Sequence, residues 1–176
     1  MTFYHTLEGD ARKAYEDAIA VIWAEAQRQL GLAEDDLVLR DLLAKEDLNI
    51  GASGTESWVG TFTSAAYTTF VNTTIDDTRF TAIYGFAIGL GARTSGAGFL
   101  SIIRITRGGK VLRMWQIEPH TNVSTSGDLY QFFADDPVTA FQNIPLKVEV
   151  YSNGAATAVL TLLGKVAEPE GKVINR

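Results

Sequence analysis

The sequence predicts a mainly β protein, an antiparallel β-sandwich or jelly roll with one N-terminal α-helix. Apolar residues recur at helical spacing only near the start, from Ala11 to Leu30. Beyond residue 56 come about eight short to medium apolar runs with turn residues between them and no alternating helices. Between Phe80 and Ile117 the pattern is that of one long buried strand followed by a tight hairpin.

Taken in order, the chain opens with a short mixed segment, Met1 to Leu7, in which Thr6 is a candidate helix cap and Asp10 a second one. From Ala11 to Leu30 the residues Tyr15, Ala18, Ile19, Ile22, Ala26 and Leu30 fall on one stripe, with Trp23 at its edge, and Gly31 supplies the stop. Leu37-Val38-Leu39 reads as a short strand followed by an irregular connection. Gly51-Ala52-Ser53-Gly54 then reads as a linker. This divides the chain into a helical leader (1–50), a β body (51–167) and an extended tail (168–176), where Pro169 and Gly171 argue against a further helix.

In the body, Ser57 to Phe62 and Ala66 to Val71 are strand candidates, and Asp76-Asp77 is a turn. Phe80 to Leu90 is apolar on both faces and rich in aromatic and β-branched residues, as a central strand should be. After an expected loop, Arg93 to Gly98, the runs Phe99 to Arg107 and Lys110 to Ile117 flank Gly108-Gly109, which suits a type I′ turn. An uninterrupted ladder from that turn pairs Ile105 with Leu112 and Ile103 with Met114 on the core face. It pairs Arg104 with Arg113 and Ile102 with Trp115 on the other face. Leu129 to Phe133 and Val138 to Phe141 are short runs around Asp135-Asp136-Pro137. Leu146 to Tyr151 is expected to open a second hairpin through Ser152-Asn153-Gly154, aligning Leu146, Val148 and Val150 with Leu160, Ala158 and Ala156.

Composition narrows the function. The 176 residues hold no cysteine, which excludes thiol catalysis, disulfide staples and thiolate zinc sites. Met1 to Gly9 has neither a basic nor an apolar signal region, so no Sec-type signal is expected, and no apolar run is long enough to span a membrane. The net charge of −6 is uneven: residues 1–56 carry 12 acidic and 5 basic side chains, residues 57–176 carry 9 and 10. A charge-poor body rich in Thr, Ser, Ala and Gly suits contact with other protein better than attraction to nucleic acid.

The motif search finds no nucleophile elbow, Walker loop, dinucleotide fingerprint, zincin helix or EF-hand. The only histidines, His5 and His120, are too few for a cupin-like cluster, and the Asp pairs at 35–36, 76–77 and 135–136 read as solvated turns. No catalytic residue, metal or cofactor is expected. Trp58, Tyr67 and Phe70 would make a sugar-binding face if all three pointed outward. The strongest candidate for partner contact is the hairpin itself, where Arg104, Arg107, Lys110, Arg113 and Trp115 combine basic and aromatic groups. Facing arginines there would need a carboxylate from elsewhere, and the acidic leader offers one.

With its acidic leader, its charge-poor body, the turns Gly108-Gly109 and Ser152-Asn153-Gly154 and the tail Glu168 to Arg176, the chain resembles the small jelly-roll structural proteins of bacterial and archaeal virions. The resemblance is of style over residues 57–176 and carries over no functional residue. It implies a non-enzymatic protein located in the virion that forms a capsid lattice, or decorates and cements one. Its partners would be itself, as a homo-oligomer such as a trimer, and other capsid proteins. The alternative reading is a soluble, cytoplasmic carbohydrate-binding sandwich.

Overall fold

The computed structural model describes residues 9–51, 57–96, 99–118 and 129–172. The expected Thr6 cap, most of the 51–54 linker, both histidines, the loop at 120–128 and the last four residues of the tail lie outside them. The elements in order are α1 (Gly9–Leu30), β1 (Leu37–Asp41), α2 (Ala44–Leu48), β2 (Val59–Phe62), β3 (Ala66–Thr74), β4 (Phe80–Gly96), β5 (Leu100–Arg107), β6 (Lys110–Gln116), β7 (Leu129–Phe141), β8 (Pro145–Ser152) and β9 (Ala156–Pro169).

The strands form two antiparallel sheets. One runs β1-β9-β4-β7, with β2 pairing the start of β9 beside β1; the other runs β3-β8-β5-β6. From β2 to β9 every connection crosses between the sheets except the β5–β6 hairpin. The resulting orders, β2-β9-β4-β7 facing β3-β8-β5-β6, are those of two interlocked Greek keys, so the body is a jelly roll.

Two apolar layers hold it together. Between the sheets lie Phe62, Ile83, Phe86, Ile103, Ile105, Trp115, Val148, Val150, Leu160 and Leu162, all buried. On the outer face of the β4 sheet a second layer joins Ala18, Ile22 and Ala26 of α1 to Phe80, Ala82, Tyr84, Leu163 and Ala167. Tyr15 meets Tyr84 edge-on with centroids 5.7 Å apart. The stripe foreseen on the helix thus packs on the chain's own sheet. α1 ends as expected, with Gly31 left-handed at φ +68° and its N–H donating to the Gln27 carbonyl at 2.9 Å.

β4 is central, flanked by β9 and β7, as its two-sided apolarity requires. It also runs to Gly96, so the start of the loop expected from Arg93 belongs to the strand. β7 is one strand where two short runs were expected. Its register slips between Gly85↔Phe133 and Ile83↔Val138, leaving residues 134–137 opposite Tyr84 alone; this bulge accommodates Pro137, which has no N–H to donate.

The second hairpin is a correction. β8 pairs with β3 and β5, while β9 lies in the opposite sheet, so no ladder joins them. Their inward residues do share one apolar layer, which is why the alternation looked like a register. The 152–154 turn is tied to the start of β5 instead, with Asn153 N–H donating to Phe99 O at 3.1 Å and Phe99 N–H to Asn153 Oδ1 at 2.7 Å.

β1 and the end of β9 join the stretches read as leader and tail. Leu37 pairs with Pro169 and Asp41 with Lys165, and Glu168 is fully buried within β9.

Candidate interaction surface

The β5–β6 hairpin closes through Gly108 and Gly109 at φ +54° and +81°, the type I′ conformation that other residues adopt poorly. Gly108 N–H also donates to Pro145 O at 2.9 Å, anchoring the turn to β8.

One bulge then changes every pairing beyond it. Arg107 meets Lys110 and Thr106 meets Val111, but Ile105 meets Arg113, so Leu112 is the extra residue. Ile103 therefore faces Trp115, Arg104 faces Met114 and Ile102 faces Gln116. This corrects the predicted register. Leu112 and Met114, expected in the core, are 39% and 54% exposed. Trp115, expected on the outer face as a contact residue, is 7% exposed between Phe86 and Phe132, at centroid distances of 5.8 and 5.9 Å. The slip satisfies the tryptophan, whose ring gains most from burial.

The arginines find their partners inside the molecule. Arg104, on the outer face of the β8–β5 pair, donates through Nε and Nη2 to Glu149 Oε2 at 3.0 and 2.8 Å, and its guanidinium lies 3.9 Å from the Tyr67 ring centroid. Lys147 reaches the other oxygen of Glu149 at 2.7 Å. The Lys147 ammonium, with the Arg104 guanidinium, holds the Glu149 carboxyl below its usual range. Arg113 turns the other way, crossing the open side of the sandwich to Asp136 on β7 at 2.5 Å. Arg107 crosses at the same side, donating to Thr139 O at 2.6 Å and Oγ1 at 3.1 Å beside the Phe141 ring. Lys110 stands exposed in the turn.

Of the predicted contact group, then, Lys110 remains at the surface, Arg104 sits partly buried in an ion pair, Arg107 latches β5 and Arg113 latches β6 to β7, and Trp115 is core. The acidic leader is not what neutralises Arg104 and Arg113. Sequence reasoning missed Tyr67, Asp136, Thr139 and Glu149, since each meets its arginine from a strand far away in the chain.

What the surface does offer is apolar. Five large hydrophobic residues are exposed among those described, and Val111, Leu112 and Met114 lie together on β6, the last strand of its sheet. Ile102 and Tyr151 continue this face, half-buried. On the other sheet α1 packs over residues of β4 and β9, and the exposed large hydrophobic among its described residues is Val59 on β2.

At one end of the sandwich Arg40 and Arg79 interlock with Asp47 and Glu168. No group of three or more His, Asp or Glu able to hold a metal occurs among the described residues. Trp58 and Phe70 pack against the inter-sheet core, and the face of Tyr67 is taken by Arg104, so these three do not form a common outward platform.

No family model and no curated protein matches the sequence. Among solved structures, the VP2 subviral particle of infectious bursal disease virus is similar at 15% identity and TM-score 0.37, over 78% of this chain and 34% of that one. Dimeric latent PorU from Porphyromonas gingivalis is similar at 14% identity and TM-score 0.35, over 76% and 12%. A pentameric capsid protein from metagenomic phage sequences is similar at 14% identity and TM-score 0.24, over the full length of both chains. The chain spans about a third of the length of the infectious bursal disease virus chains it matches.

Proposed function

We propose that this chain is a non-enzymatic structural protein of a virus particle, forming or stabilising a capsid lattice through protein–protein contacts. The observation that carries this reading is the strand order, a full eight-strand jelly roll of the architecture that viral shells use repeatedly. Its surface agrees: one sheet is partly covered by the chain's own helix, and the other ends in a strand with three exposed apolar side chains. The carbohydrate-binding alternative loses its support with the inward packing of Trp58 and Phe70.

Light scattering at micromolar concentration, followed by electron microscopy of the same sample, tests the proposal. An assembly heavier than the 19.1 kDa monomer, with repeating geometry, is the expected result. A clean monomer that binds no particle overturns it.

A further inference from the structure

We propose that the free edge of β6 in one copy takes the edge strand β1 of a second copy together with the acidic 34–36 segment that leads into it, joining molecules head to tail. This deepens the assembly reading above and rests on it.

Among the described residues, β6 pairs only with β5 and β1 only with β9, so each leaves one row of backbone N–H and C=O groups unpaired. The two edges differ in charge. β6 carries Lys110, exposed in the turn, and Arg113, already paired with Asp136, whereas β1 is led in by Glu34, Asp35 and Asp36, all exposed, while its own Arg40 and Asp41 are taken up within the chain by Asp47 and Glu168 and by Lys165. Pairing β6 with β6 brings no carboxylate of that strand to Lys110, and pairing β1 with β1 brings no uncommitted cation of that strand to Glu34, Asp35 and Asp36. Only the unlike pairing brings Lys110 to carboxylates, and strand addition then covers the Val111, Leu112 and Met114 edge with a strand whose Val38 is half-buried, Leu39 being packed in the α1 layer on the opposite face.

The contact cannot form within one molecule. β1 lies at the far side of its sheet, three strand spacings from β7, roughly 14 Å. β6 is latched to β7 by the Arg113–Asp136 pair. An interface between two different patches propagates, closing into a ring or running on as a lattice. The bulge at Leu112 interrupts the flat edge, which guards it against indiscriminate pairing.

The test uses the full chain and two variants at exposed positions, Lys110→Glu/Val111→Glu on one edge and Asp35→Lys/Asp36→Lys on the other. Circular dichroism and thermal melting first establish that both fold as the parent does. The association of each variant alone, read by light scattering, is expected to weaken at least tenfold. An equimolar mixture is expected to recover it, because every β6–β1 contact between unlike copies again joins opposite charges. If the parent assembles but either variant does so equally well, or the mixture stays dissociated, this contact is wrong while the structural role stands. A parent that stays monomeric removes both.

Discussion

The two terminal nitrogens of Arg40 each lie 2.7 Å from a different carboxylate oxygen of Asp47, a bidentate pair in which the aspartate is 1% exposed. Arg40 Nε donates at 2.6 Å to Glu168, which is fully buried and also receives Arg79 at 3.0 Å. Two cations and two anions thus neutralise one another at the junction of β1, α2, β9 and the approach to β4. Asp47 further accepts the Leu43 N–H at 2.7 Å, holding the start of α2.

Removing one member leaves a charge stranded. Asp47→Asn is expected to lower unfolding free energy by about 3–5 kcal/mol, the cost of breaking a buried pair while its partner stays. Denaturant melts of D47N, E168Q and the double variant check this. The double variant should fall short of the sum of the singles, because the two residues share both arginines.

The bulge at Leu112 makes opposite demands on neighbouring residues. Trp115→Ala empties a site between Phe86 and Phe132 and is expected to cost about 3–5 kcal/mol. Met114→Ala, at a position 54% exposed, should stay within about 0.5 kcal/mol of the parent. An uninterrupted ladder predicts the reverse ranking, so the two melts decide between the registers.

Much of the fold was legible because it follows from local pattern. The helix stripe around Ile22, the two-sided apolarity of β4 and the Gly108-Gly109 turn all reflect constraints within a few residues of themselves. What was not legible depends on partners distant in the chain. Nothing near Leu112 marks the bulge, since its cause is the space for Trp115 between strands β4 and β7. Ser152-Asn153-Gly154 has hairpin chemistry, yet the turn carries the chain from one sheet to the other. The candidate surface suffered most. Arg104 and Arg113 looked like unpaired neighbours, whereas Glu149 and Asp136 neutralise them from opposite sides of the sandwich.

Close approach between strands gives a third prediction. A Cβ on Gly85 would stand 2.0 Å from the Phe132 carbonyl oxygen, a backbone atom fixed in the β4–β7 ladder. Gly85→Ala must therefore shift one strand, at a cost of about 1–3 kcal/mol or more. Gly171→Ala, where a Cβ meets nothing within 4 Å, is the control and should melt with the parent.

Glu149 links stability to pH. Its carboxyl is held below the usual range by Lys147 and then Arg104, so the folded state binds its proton less readily than the unfolded chain does. A depressed carboxylate stabilises the fold fully above its unfolded value, near pH 4, and the contribution fades as pH falls through the lower folded value. Glu149→Gln removes this contribution and leaves Lys147 and Arg104 without their shared anion, at a cost on the order of 1–3 kcal/mol at pH 7. The difference in melting temperature between parent and variant should accordingly be widest at pH 6–7 and narrow steadily below pH 4, as the parent loses what the variant never had. A gap of constant width down to pH 3 would mean that the carboxylate charge is not what binds β5 to β8 at this point, and that the loss in the variant comes from altered packing beside Tyr67.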